Sequence, residues 1–187
     1  VRIFGIDPGS DRTGYGCVET DGRRYHLVTC GAIGPLAPES FPHRLARIHR
    51  ELTALLLSCR PDGVAIESLF YAANVRSALK LGHARGVAML AAVEAGCPVI
   101  EYTPSEIKRA VVGYGRAEKH QVQQMVKLLL ALPAPPTPHD AADALAVAIC
   151  HLHSAPRPGS RIPDPGSRIP DKRQPRTWRQ YRPLTHG

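Results

Sequence analysis

Apolar and polar positions recur along the chain at spacings that divide it into ten elements. Residues 1–7 are a β-branched, apolar run stopped by Pro8-Gly9, which reads as a strand and a turn. Residues 14–19 and 25–34 read as two further strands, with Asp21-Gly22 between them as a hairpin turn. Between 40 and 59, Leu45, Ile48, Leu52, Leu55 and Leu56 keep the three–four spacing of one helix face. Pro61 and Gly63 break that helix, and residues 63–68 form a short apolar strand. A second long helix is predicted over 74–95, with Gly96 as its stop signal, followed by a strand over 98–102. Helices follow at 104–112, 118–131 and 140–153, the last two separated by the proline-rich PAPPTP. Three hairpin-linked strands followed by strands joined through helical crossovers predict an α/β domain. Its mixed five-stranded sheet carries helices on both faces. Several fold families share that string, so it names no function.

Composition narrows the field. The 187 residues, 43% of them apolar, suit one domain with a core large enough to need no staple. No apolar stretch approaches the roughly 18 residues of a membrane span, and no secretory leader pattern opens the sequence as given. Cysteines at 17, 30, 59, 97 and 150 lack the paired spacing of a zinc site. Free thiols in a reducing cytoplasm are the expectation. Lys and Arg exceed Asp and Glu by 24 to 16, which points to a polyanionic partner, nucleic acid first. The excess is uneven: residues 1–155 carry a net +2, whereas 156–187 carry +6 and seven of the 18 prolines. Within that tail PGSRIPD occurs twice in tandem, at 158–164 and 165–171. With little apolar surface to offset ordering entropy, 156–187 is expected to be a disordered, basic, Pro-rich extension of a 1–155 domain.

Acidic residues then stand out at strand ends. Asp7 closes the first strand and Glu67 the strand after the first long helix, so both project from the carboxyl edge of a sheet, where α/β sites lie. Asp140 and Asp143 open the last helix three residues apart and share a face. Plainer readings stand beside this one. Asp7 before Pro-Gly is a normal turn residue. Asp140 suits an N-cap, and Asp143 the first turn of the helix dipole. Glu67 is harder to explain away, because a charge in a buried strand needs a partner. A single cause accounts for four acids at one locus more economically than four coincidences.

Four converging carboxylates repel unless a cation is bound. Hard oxygen donors without paired cysteines suit Mg²⁺ or Mn²⁺, and such a cluster can hold two ions astride a scissile phosphate. No side-chain nucleophile is then needed, and no Ser-His-Asp or Cys-His arrangement competes for the role. His139 adjoins Asp140 as a further ligand, a proton-transfer group or a solvated loop histidine. His151 and His153 are two apart and face different sides of a helix, a poor metal pair.

The segments GIDPGSDRTGYG (5–16), AIESLF (65–70), ALKLGHARG (78–86), VVGYGRAEKHQV (111–122) and HDAADALAVAI (139–149) together resemble the RuvC family of Holliday junction resolvases. The resemblance runs from about residue 1 to 153, with the motifs in family order and spacing. GID alone is shared with sugar-kinase, actin and chaperone ATPases, which need a second domain that this chain is too short to hold. The resemblance implies a ribonuclease H-like fold and a Mg²⁺-dependent endonuclease that cuts four-way DNA junctions in recombination and repair. Asp7, Glu67, Asp140 and Asp143 match the family's metal-binding carboxylates, and Lys108 and Lys119 match basic residues at the DNA backbone. Phe70 matches an aromatic that engages junction bases, and Tyr71 follows it. The family is a homodimer that makes paired nicks and works with the branch-migration proteins RuvA and RuvB. The repeated tail departs from the family pattern.

The residues themselves agree in part. Two strands of a twofold junction need two such acidic clusters, which a twofold dimer supplies. Helix 74–95 carries Ala78, Leu79, Gly82, Gly86 and Ala91, small enough for a second copy to approach, or equally for packing on its own sheet. Phe70-Tyr71 reads as a stacking platform or a core aromatic pair. Arg76, Lys80, Lys108, Arg109, Arg116 and Lys119 flank the acids as phosphate contacts or as solvated surface. Two other classes stay open: a related nuclease acting on RNA or RNA–DNA hybrids, and a non-catalytic module that bends junctions.

Overall fold

The computed structural model describes residues 1–68 and 75–154, all within the compact unit Val1–Ala155. Strands β1 (Arg2–Asp7), β2 (Thr13–Thr20) and β3 (Tyr25–Ile33) precede helix α1 (Phe41–Cys59). Then come β4 (Gly63–Glu67), α2 (Val75–Glu94), β5 (Val99–Tyr102), α3 (Pro104–Val112), α4 (Lys119–Leu129) and α5 (His139–Ser154). These are the ten expected elements, in order and within a residue or two of the expected ends. The sheet runs β3-β2-β1-β4-β5. β1 pairs antiparallel with β2 and parallel with β4, so β1 is the strand where the hairpin half meets the crossover half. The hairpin turn forms where expected: Gly22 takes φ 91°, and the Asp21 carboxylate accepts from the Arg23 and Arg24 N–H groups.

Period-two patterning assigns each sheet face to its helices. Phe4, Ile6, Val64 and Ile66 point to one side, where they pack with Ile48, Leu52 and Leu56 of α1 and Ala88, Ala91 and Ala92 of α2. Ile3 and Ala65 point to the other side, into a cluster with α3, α4 and α5. A Cβ added at Gly5 of β1 would overlap the Ala144 carbonyl, and one at Gly14 of β2 would overlap that of Asp140. Strand glycines therefore let α5 lie directly on β1 and β2, with Ala141, Ala142, Ala144 and Ala148 fully buried. Gly5 and Gly14 belong to a motif the sequence offered as a whole, yet their part in seating α5 was not read from it.

Helix α2 resolves one open question. Ala84, Ala88, Ala91 and Ala92 face inward, so Ala91 belongs to the core rather than to a free face. Val75, Leu79, Gly82, Gly86, Leu90 and Val93 line the opposite side, and all six are exposed. A Cβ at Gly82 or Gly86 would meet nothing within 4 Å. All five cysteines are free thiols, as expected. Among the described residues no helix is long and apolar enough to cross a membrane.

Candidate active site

Parallel pairing sets Ile6 of β1 opposite Ile66 of β4, so the next residues, Asp7 and Glu67, end their strands side by side. Alternation turns both toward the α3–α5 face. There they line a cavity of about 310 Å³ together with Pro104, Ile107 and Lys108 of α3, Lys119 and Val122 of α4, and Asp143 and Ala146 of α5. The close seat of α5 on Gly5 and Gly14 is what brings Asp143 to the strand ends. On the α3 side, Thr103 and Glu106 form a capping box that anchors the helix carrying Lys108.

The electrostatics are those of like charges held close. Asp7 is pushed up to about 8, first by burial and then by the neighbouring charges of Glu67 and Asp143. Glu67 is raised as well, chiefly by burial. The two carboxyl groups hydrogen-bond each other, so one proton between them relieves the repulsion. Lys119 Nζ lies 2.6 Å from Asp143 Oδ2, and that contact raises the lysine. A hard, oxygen-only donor set, with Asp7 and Glu67 held toward their protonated forms by burial first and by neighbouring charge second, is one that a small divalent cation relieves. The acids are gathered rather than closed: among the described residues no three His, Cys, Asp or Glu side chains already form a metal-holding group.

Sequence expectations divide around this cavity. Asp7, Glu67, Asp143, Lys108 and Lys119 all line it. Asp140 does not line it, but is half-buried one turn earlier on α5 and near enough to act on Lys119. Because α5 starts at His139, Asp140 is inside the helix, not at its N-cap. His139 is exposed, with Nδ1 3.0 Å from Gln123 Nε2, and takes no place among the lining residues. Arg76, Arg109 and Arg116 are exposed outside the cavity lining. Lys80 Nζ instead sits 5.7 Å from the centroid of the Phe41 ring. His151 lies against the Tyr102 hydroxyl at 2.9 Å and His153 against the Ala110 carbonyl at 2.8 Å, so each has a separate partner. Phe70 and Tyr71 lie outside the described residues.

Residues 3–151 match the family model described as Crossover junction endodeoxyribonuclease RuvC. A protein of that name from Koribacter versatilis is 54% identical over 156 residues, covering 83% of this chain and 94% of the relative. The structure of Thermus thermophilus RuvC is 36% identical, covers 82% of this chain and 94% of that one, and superposes with a TM-score of 0.76. The same protein in complex with a Holliday junction substrate gives 0.75 at 34% identity, over the same shares of the two chains.

Proposed function

This chain belongs to the RuvC family of crossover junction endodeoxyribonucleases, a family of metal-dependent nucleases, and on that premise we propose that it resolves four-way DNA junctions by paired phosphodiester hydrolysis in recombination and repair. The single observation that carries the reading is the cavity in which Asp7, Glu67 and Asp143 face one another beside Lys108 and Lys119. Asp7, Glu67, Asp140 and Asp143 hold Mg²⁺, two ions per site, with Mn²⁺ able to substitute. When bound, the ions supply Lewis-acid activation of the scissile phosphate and of the attacking water. The Asp7–Glu67 pair gives up its shared proton before it can hold a cation, so metal loading strengthens as pH rises toward 8. Lys108 and Lys119 steer the phosphate over the acids. Arg76, Lys80, Arg109 and Arg116 contact backbone further out, which positions DNA without reading sequence. Phe70 and Tyr71 follow Glu67 by three and four residues and stack on unpaired bases at the crossover. His139 is left out of the metal set.

Cutting two strands requires two cavities, and the exposed stripe from Val75 to Val93 on α2 is the surface we assign to a second copy. Its small residues allow a close helix–helix approach. RuvA and RuvB are the partners that family membership implies, and the cytoplasm, where the five thiols stay reduced, is the compartment. Residues 156–187, net +6 by sequence, add counterion-linked affinity for DNA. Their removal is expected to weaken junction binding most at low salt while metal-dependent cleavage persists. Equal affinity of the truncated and full chains at low salt would remove the tail from the account.

The deciding experiment offers the purified chain a synthetic four-way junction and an RNA–DNA hybrid, with and without Mg²⁺, alongside Asp7→Asn. The expected result is paired junction nicks with Mg²⁺ only, an intact hybrid, and an Asp7→Asn protein that binds junctions without cutting them. Hybrid cleavage with intact junctions would move the chain to the RNA-directed nucleases. An unchanged product profile in Asp7→Asn would make it a binding module.

A further inference from the structure

Lys119 stands at the first position of α4, with 60% of its side chain exposed, yet its ammonium reaches 2.6 Å to an Asp143 carboxylate that is only 18% exposed. The same charge acts on Asp7, Glu67 and Asp140, so one ammonium serves all four acids of the proposed site. Lys108 lines the same cavity, but among the described residues it forms no ion pair within 4.0 Å. An ammonium is a compact point charge with three donors on a flexible stem, suited to standing in for a small cation and to leaving again. A carboxylate oxygen engaged at 2.6 Å by Lys119 offers less of itself to a divalent ion.

We propose that Lys119 is the resident counter-ion of the metal-free carboxylate cluster, displaced from Asp143 when a divalent cation enters and released toward the cavity mouth, where a phosphate oxygen of the DNA takes the place of the carboxylate. The lysine thereby couples two events. It keeps the acids from repelling one another before loading, and it becomes available to phosphate only once the site is loaded. This role is beyond a plain backbone contact, and it rests on the reading of the cavity as a metal site.

The test measures Mn²⁺ affinity of the full chain by calorimetry or electron paramagnetic resonance, without DNA, at one fixed pH for every variant. Lys119→Gln is expected to bind Mn²⁺ at least about threefold more tightly than wild type, because a competing cation is gone. Lys119→Arg, which keeps the charge, is expected to bind no more tightly than wild type, and Lys108→Gln to gain less than Lys119→Gln. The metal-free Lys119→Gln protein should also melt lower than wild type, with saturating Mn²⁺ abolishing the difference. Unchanged or weaker Mn²⁺ binding in Lys119→Gln overturns the proposal, as does an equal gain in Lys108→Gln. A melting deficit that Mn²⁺ does not recover would make Lys119 an ordinary structural contact. Failure of the wild type to bind Mn²⁺ would instead overturn the metal site itself.

Discussion

Two carboxylates on opposite faces of the sheet have been driven in opposite directions. Glu39, before α1, receives the Arg47 guanidinium at 2.8 Å and 2.9 Å, with Arg44 at 3.7 Å, and is held down at about 2. Arg47 is itself finished by Glu51 at 3.1 Å and by the Gly34 carbonyl. Asp7 meets Glu67 and Asp143 in place of a guanidinium, and burial first and those neighbouring charges second push it up to about 8. The first acid has its counter-charge built into the chain and ties the segment after β3 to α1. The second is surrounded by its own kind and relieved only by a proton, by one lysine ammonium or by a cation from solution. Paired acids hold the fold, and crowded acids are the ones we propose for the chemistry.

The contrast predicts unequal consequences for mutation. The largest is Glu67→Gln, which removes one charge from the crowded cluster. Junction cleavage should fall on the order of 10³-fold, since a metal-held phosphate loses several kcal/mol of transition-state stabilisation. Melting temperature of the metal-free protein should stay level or rise. A variant that cuts at the wild-type rate would take Glu67 out of the active cluster. Arg47→Met acts in the opposite sense. It leaves Glu39 with the more distant Arg44, at 3.7 Å, takes the guanidinium from the Gly34 carbonyl, and should cost about 2 kcal/mol of stability in denaturant titration. The fraction that remains folded should cleave normally. Loss of cleavage without loss of stability would show that the two regions are not separable.

Gly5→Ala tests the seat of α5. Its methyl group collides with the Ala144 carbonyl, so α5 must lift, taking Asp140 and Asp143 with it. About 2 kcal/mol of stability should be lost, with Mn²⁺ affinity falling alongside. Unchanged stability would mean that the helix yields freely at this point.

The smallest effect is the slope of stability with pH. Asp7 is raised from its ordinary 3.8 to about 8 in the metal-free fold. Its contribution is complete below pH 3.8 and disappears as pH climbs through about 8. Glu39 is lowered from 4.5 to about 2, so its contribution is complete above 4.5 and is lost as pH falls through about 2. Denaturant midpoints in chelator should show the decline between pH 3.8 and about 8 flatten in Asp7→Asn, and the decline between pH 4.5 and about 2 flatten in Glu39→Gln. A slope that changes in the wrong window would break the pairing of the two acids as opposites.

Local rules made the elements legible. Pro8-Gly9, Asp21-Gly22 and Gly96 act within a few residues of themselves, and the face of α1 follows from a 3.6-residue period. The same holds for Asp7 and Glu67, because a strand end and a charge are both visible in one dimension. Small residues on α2 were legible only as a set. Which of them face inward depends on the turn of that helix over α1 and the sheet, and this sent Ala91 to the core while leaving Gly82 and Gly86 bare. The basic residues divided for a similar reason: Lys108 and Lys119 reach the cavity, whereas Lys80 turns to Phe41.

By itself, then, the sequence determined the order of elements, the mixed sheet, the family and the acids at the carboxyl edge, because each is carried by period, by turn chemistry or by a motif in continuous residues. Tertiary structure alone decided which charges meet. Coulomb interactions depend on distance through space, and it was the seating of α5 on Gly5 and Gly14, and the swing of α4 beside it, that brought Asp143 to Asp7 and Glu67 and placed Lys119 among them.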